Sequence, residues 1–164
     1  MKRRSVKDLT AAAVVAALYT ALSLLSNSFG IAFGPVQCRF SEALTLLPMI
    51  LPSSVYGLTV GCLLTNILSP YGLLDLIVGT IATFLAATLT RRCKNEFLAA
   101  LPPVLCNAVL VGALLAFQQA GISPAFSTAF AYQALTVGLG QLIACCGLGI
   151  PLLRMLRKHL RTLG

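Results

Sequence analysis

Three ionisable side chains stand in segments that are otherwise almost wholly apolar. Arg39 and Glu42 lie in Val36-Gln37-Cys38-Arg39-Phe40-Ser41-Glu42-Ala43-Leu44-Thr45-Leu46-Leu47-Pro48, and Asp75 lies in Tyr71-Gly72-Leu73-Leu74-Asp75-Leu76-Ile77. A carboxylate accepts two parallel hydrogen bonds from a planar, amidine-like edge and also pairs with an ammonium group. Asn66, Asn107, Gln133 and Gln141 supply donor and acceptor together, while Phe40, Tyr71 and Tyr132 offer faces on which an aromatic ring can stack. This set suits a small, flat, nitrogen-rich ligand such as a purine-like base, and suits a lipid poorly.

The same inventory is poor in catalytic groups. There is no Gly-x-Ser-x-Gly and no His-Glu-x-x-His, and the single histidine, His159, sits in a basic tail. Acid–base and nucleophilic catalysis need more than this, so the chain does not read as an enzyme. No Gly-x-x-x-x-Gly-Lys-Ser/Thr loop is present, so ATP cannot be bound in the Walker manner by this chain alone. Cys38, Cys62, Cys93, Cys106, Cys145 and Cys146 form no Cys-x-x-Cys pair and have no histidine at ligand spacing. No metal and no cofactor is expected, and the thiols read as small buried hydrophobes.

Elements able to hold such groups follow from composition. The 164 residues are 58% hydrophobic and 10% charged, with a mean hydropathy of +0.92. There are too few charges to coat a soluble core, so an all-α integral membrane protein is expected, a single domain over residues 1–164. Charges at membrane depth are costly and face a protein interior or a watery cavity, which makes an intramembrane carboxylate a functional candidate.

The net charge of +8 is gathered in three clusters. These are Lys2, Arg3, Arg4 and Lys7; Arg91, Arg92 and Lys94; and Arg154, Arg157, Lys158 and Arg161. Each borders a long apolar segment, where positive charge marks the cytoplasmic side and can touch anionic lipid. No aromatic platform interleaves with them, so nucleic-acid binding is not expected. The N-terminus does not read as a signal peptide, because its apolar run continues for a full span and Asn27-Ser28-Phe29-Gly30 is no cleavage site.

With both termini and the middle basic cluster on the cytoplasmic side, the number of crossings is even. A crossing needs about 20 apolar residues, fewer where neighbours bury it. Pro48, Pro52 and the glycines divide the chain into six helices at roughly 9–26, 41–51, 53–68, 72–90, 97–117 and 130–153, a compact bundle. This arrangement places Arg39, Glu42, Asn66, Tyr71, Asp75 and Gln133 near the external end, with Asn107 and Gln141 deeper: a pocket open to the outside.

Plainer roles compete for the same residues. Arg39 and Glu42, three apart, can neutralise each other on one helix face. Asp75 can be a favourable charge at a helix N-terminus. Asn107 and Gln141 can be glue between helices, and Thr83 and Thr136 can bond to helix backbone. Ala12/Ala16 and Ala13/Ala17 form two overlapping Ala-x-x-x-Ala pairs, and Gly57/Gly61 a similar one. That spacing makes a smooth ridge for close helix approach, either within the bundle or against a partner.

In these segments the chain resembles the substrate-binding S components of energy-coupling-factor vitamin transporters, within them the QueT type. The resemblance rests on the segment from Val36 to Pro48, on Gly57-Leu58-Thr59-Val60-Gly61-Cys62-Leu63-Leu64-Thr65-Asn66, on Asp75 with Gly79 and Thr83, on Asn107, and on Val137-Gly138-Leu139-Gly140-Gln141. It runs in order over nearly the whole chain. It implies a six-helix protein of the cell membrane that captures a micronutrient outside and associates with a membrane T subunit and two cytoplasmic ATPases. The substrate it implies is a queuosine precursor, a 7-deazaguanine such as preQ1, preQ0 or queuine. It also implies that Ala12, Ala13, Ala16 and Ala17 dock the T subunit. Gln141 departs from the family pattern, in which that position is often glutamate. The segment from Phe29 to Arg39, with Gly30 and Gly34, reads as a lid over the pocket. Two other classes stay open: a proton-coupled exporter using Glu42 or Asp75, and a non-transporting membrane interaction protein.

Overall fold

The computed structural model describes residues 5–32 and 37–162. Lys2, Arg3, Arg4, Gly34 and Val36 lie outside the described residues, so the lid expected over the pocket is covered only at its two ends.

Six helices follow one another, and no strand occurs among the described residues. Helix α1 is Val6–Ser28, α2 is Phe40–Met49, α3 is Ser54–Asn66 and α4 is Gly72–Thr90. Helix α5 runs over Glu96–Ala120, and α6 joins Phe126–Leu142, Ile143–Gly149 and Ile150–Thr162 end to end. Four of these, α1, α4, α5 and α6, are long and apolar enough to cross a membrane. Helices α2 and α3 are not. At roughly 2.0 Å and 1.5 Å rise per residue each spans about 20 Å, short of the ~30 Å hydrocarbon layer.

The winding of α2 explains how so short an element is tolerated. It is a 3-10 helix of 10 residues, unusually long for that type, and every residue from Ser41 to Pro48 is buried. Irregular backbone is permitted at membrane depth where protein rather than lipid surrounds it. The outer surface is inverted relative to a soluble domain. Large apolar side chains such as Val14, Leu18, Leu63, Ile81, Leu105 and Leu139 are exposed, while Arg39, Glu42, Asn66, Asp75 and Gln141 are buried.

Helix ends outrun the apolar segments because capping groups extend them. Ser5 accepts from the backbone of Lys7 while Asp8 accepts from the backbone of Ser5, a capping box that starts α1 at Val6. Asn95 caps α5 through Phe97 N at 2.9 Å. Pro102 and Pro103 sit inside α5 and leave the carbonyls of Leu98 and Ala99 without their helical donors. The Thr90 hydroxyl donates to Ala99 O at 3.1 Å, and the Cys93 thiol to Leu98 O at 3.6 Å. The turn between α4 and α5 thus satisfies what the prolines unsatisfy.

Helices α1 and α3 are held close by the small residues that the sequence singles out. A Cβ placed on Gly57 would come 2.5 Å from Ala12 O and 2.8 Å from Val15 Cβ; one on Gly61 would come 2.8 Å from Tyr19 Cβ and 2.9 Å from Ala16 O. The expected docking ridge therefore divides. Ala16 is buried and Ala12 half-buried against α3, spent on packing within the bundle, whereas Ala13 and Ala17 remain exposed. One helix cannot offer both pairs to a partner because they lie on different faces.

The basic residues collect at one end of the bundle. Asp8 of α1, Ser53 just before α3, Tyr56 of α3, and Arg91 after α4 line a common cleft of about 210 Å³. Glu96 at the start of α5 accepts from Arg154 Nε at 2.7 Å and Arg157 Nη1 at 2.9 Å on α6. Because Arg154 is more than half exposed, this clamp is screened: Glu96→Ala should cost about 0.5–1 kcal/mol in thermal unfolding at low salt, and less at high salt.

Candidate functional site

At the opposite end, three polar residues one helical face apart on α1 aim inward: Tyr19, Ser23 and Ser26. Ser23 Oγ donates to Ser41 Oγ at 2.7 Å, and Ser26 Oγ accepts from Phe40 N at 2.8 Å, which fixes where α2 begins. The Tyr19 hydroxyl donates to Glu42 Oε1 at 2.5 Å. On the other side α2 lies directly along α6. A Cβ on Gly140 would sit on the Gln37 carbonyl oxygen, and one on Gly149 would reach Leu46 Cδ1 at 2.6 Å and Ala43 O at 3.0 Å. That approach brings Glu42 to Gln141, whose Nε2 donates to Glu42 Oε2 at 2.8 Å. Asn107 Nδ2 in turn donates to Gln141 Oε1 at 2.9 Å. Asn107 begins one π-helical turn, Asn107–Val111, and a second, Ile143–Gly149, follows closely on Gln141. Such turns widen a helix locally and recur at functional sites.

A second network faces the first. Arg39 Nη1 donates to Asn66 Oδ1 at 3.0 Å, and Arg39 Nη2 lies 3.8 Å from Asp75 Oδ2. Ser69 Oγ donates to the same Asp75 oxygen at 2.5 Å, and Asn66 Nδ2 donates to Asp75 O at 3.1 Å. Gly79, one turn after Asp75, leaves room for Asn66: a Cβ there would be 2.6 Å from Asn66 Nδ2.

Between the two networks lies a cavity of about 20 Å³ lined by Arg39, Glu42, Asp75, Asn107 and Gln141, together with Gln37, Cys62, Gly79, Thr83, Val111 and Val137. That volume holds about one water molecule. A base-sized ligand can enter only if these side chains part or the Gln37–Arg39 segment lifts off Gly140.

Five of the eight binding candidates named from the sequence therefore meet at one cavity. Asn66 stands immediately behind Arg39 and Asp75. Tyr71 and Gln133 do not join them. The Tyr71 carbonyl accepts from Gln118 Nε2 at 2.8 Å and its ring packs beside the α4–α5 core, while Gln133 donates to Gln119 Oε1 at 2.9 Å. Both are near the same end, but their positions, Tyr71 just before α4 and Gln133 on α6, turn them away. Nor do the proposed stacking rings line the cavity: Phe40 meets Phe29 edge-on at 6.3 Å and Tyr132 is exposed.

The plainer roles are also resolved in part. Arg39, just before α2, bonds Asn66 and stands against Asp75 as well as lying on the same cavity as Glu42. Asp75 lies in the first turn of α4, so the helix terminus favours its charge as well. Thr136 bonds backbone, to Gln133 O at 3.1 Å, but Thr83 instead donates to Cys62 Sγ at 3.2 Å. Tyr19 is not among the residues that sequence reasoning proposes. The spacing Tyr19–Ser23–Ser26, all polar on one stripe of an apolar helix, is the signal that points to it.

The cavity brings together buried carboxylates, amides and a guanidinium, groups that can hold a polar ligand by hydrogen bonds and charge. No solved structure matches the chain. It is 34% identical over 101 residues to the Queuosine precursor transporter QueT of Lactococcus lactis subsp. cremoris, a match covering 59% of this chain and 59% of that one. The QueT transporter family matches over residues 9–158, a stretch that takes in α2, both polar networks and the α5–α6 clamp. A membrane bundle with its polar groups inside, built from that stretch, belongs to the QueT transporter family.

Proposed function

We propose that the chain is the substrate-binding subunit of an ATP-driven uptake transporter in the cell membrane, and that its substrate is a 7-deazaguanine precursor of queuosine. One observation carries this reading: two buried carboxylates, Glu42 and Asp75, face a single cavity across from each other, with an arginine and two amides between them. A guanine-like edge presents adjacent N–H donors that a carboxylate accepts bidentately. The name of the Lactococcus relative agrees with the substrate.

In this reading all six helices cross or line the membrane and both termini are cytoplasmic. The basic end, with Arg91 and the Glu96–Arg154–Arg157 clamp, is then inside, and the cavity lies toward the outside. Without a Walker loop the chain depends on a T subunit and two ATPases for energy. The exposed pair Ala13 and Ala17 is the part of the alanine ridge free to meet the T subunit. Substrate enters as the Gln37–Arg39 segment lifts from Gly140, and docking to the T subunit opens the inner side.

The reading is tested by uptake of a labelled 7-deazaguanine into cells expressing the chain with and without a T subunit and its ATPases. Uptake that requires all of them, and stops when ATP is depleted, supports it. Uptake or efflux by the chain alone, driven by a proton gradient, would replace it with the exporter reading.

A further inference from the structure

The cleft at the basic end of the bundle lies apart from the buried polar networks. It forms where α1 and α3 begin and α4 ends, so it opens at the rim of the apolar spans. Its volume of about 210 Å³ is far above the ~10–15 Å³ that one water needs, and admits a group of several heavy atoms.

Two opposite charges line this cleft without meeting. Asp8 Oδ2 accepts from Ser5 N at 3.2 Å in the capping box, and Asp8 makes no ion pair among the described residues. Arg91, directly after α4, is exposed and makes none either. Ser53 Oγ is a third polar group, buried and without a hydrogen-bond partner among the described residues. Ser53 holds the N-cap position of α3, where a serine hydroxyl ordinarily accepts from the helix backbone, but no such bond forms. Buried hydroxyls are nearly always bonded, so one left over in a polar cleft asks for a partner from outside the chain.

The walls narrow the choice of partner. Leu9, Ala12 and Pro52 give the cleft an apolar side, and the exposed Tyr56 presents the amphipathic ring that favours a membrane–water interface. The formal charge of the lining is zero, one arginine against one aspartate, so a simple anion would gain Arg91 but meet Asp8. A group carrying both a phosphate and a primary ammonium satisfies the two together.

We infer that the cleft binds the phosphoethanolamine headgroup of a membrane phospholipid. Arg91 pairs with the phosphate, the Ser53 hydroxyl donates to a phosphate oxygen, and Asp8 accepts from the ammonium. The glycerol end leaves past Leu9, which is exposed, into the lipid around α1. The site depends on the bundle crossing a membrane and not on the substrate assigned above.

The test is native mass spectrometry of the purified full chain in detergent. Phosphatidylethanolamine, phosphatidylglycerol and phosphatidylcholine with identical acyl chains are added at equal mole fraction. Retention of phosphatidylethanolamine about fivefold above either of the others is expected, the scale of one exposed charge pair. Phosphatidylglycerol lacks the ammonium, and the quaternary ammonium of phosphatidylcholine has no N–H to give Asp8. Arg91→Gln should lower phosphatidylethanolamine retention about fivefold, whereas Arg92→Gln, next in sequence but not lining the cleft, should leave it within about twofold of wild type. Asp8→Asn keeps an acceptor for the Ser5 cap and should bring phosphatidylethanolamine down to the level of phosphatidylcholine. Phosphatidylglycerol retained as well as phosphatidylethanolamine, or equal losses in Arg91→Gln and Arg92→Gln, would mean general attraction between a basic surface and lipid and would overturn the inference. Displacement of the lipid by millimolar O-phosphoethanolamine would hand the cleft to a soluble ligand and overturn it equally. The wild-type preference decides the matter even if a variant does not fold, and no outcome alters the substrate assigned to the buried cavity.

Discussion

Replacing Arg39 by leucine is expected to abolish binding and to lower stability by about 3–5 kcal/mol, because breaking a buried pair leaves its partner charge uncompensated. Arg39 is only 9% exposed, donates to Asn66 and stands against Asp75. Removing the guanidinium strands a carboxylate in the bundle and frees Asn66 Oδ1 at the same time. If the cost is that of the stranded charge, the double variant Arg39→Leu/Asp75→Asn recovers much of the lost stability in thermal unfolding, yet binds no ligand. A single variant of near wild-type stability would mean that Asp75 reaches solvent in the folded chain, contrary to its burial.

The second large effect concerns a pair of glycines whose consequences separate. Leucine at Gly57 must push against the Ala12 carbonyl and Val15; leucine at Gly61 must push against Tyr19 and the Ala16 carbonyl. Overpacking of this kind costs about 1–3 kcal/mol, and more where the obstacle is backbone. Both variants should therefore unfold earlier. Only Gly61→Leu is expected to weaken ligand binding as well, since Tyr19 carries the hydrogen bond to Glu42. Comparing the melting temperature and the ligand affinity of the two variants reads this difference. Equal losses of affinity would show that Tyr19 does not communicate with the site.

These effects trace back to residues of unequal legibility. Arg39, Glu42 and Asp75 announce themselves because an ionisable group in an apolar segment is costly to bury and marks a polar interior or a site. Asn107 and Gln141 are legible as polar groups in long spans, although their mutual bond depends on two π-helical turns that no sequence pattern marks. Tyr71 and Gln133 rest on depth alone. Depth in a topology says how far along a helix a residue lies, but not which way it faces, and both face elsewhere. Tyr19 illustrates the converse: its stripe with Ser23 and Ser26 is visible, but a tyrosine in a hydrophobic run attracts no suspicion until a carboxylate is found opposite it.

The helices follow the same division. Pro52 falls between two short elements while Pro48 lies inside the last turn of α2, and the 3-10 winding of α2 accompanies its burial on every side, a tertiary fact. The Ser5–Asp8 capping box is a readable start signal that moves α1 to Val6, before its apolar run begins. The alanine ridge is legible as a ridge. Which half is spent inside depends on where Gly57 and Gly61 pack against it.

The most direct measurement is an experimental structure of the chain with a 7-deazaguanine bound. The expected result is ligand density between Glu42 and Asp75, with the small cavity enlarged and Gln37 to Arg39 displaced from Gly140. Density instead in the cleft between Asp8 and Arg91, or a filled ligand site that leaves the Tyr19–Glu42–Gln141–Asn107 chain and the Arg39–Asp75 pair untouched, would contradict the assignment of this buried network as the binding site.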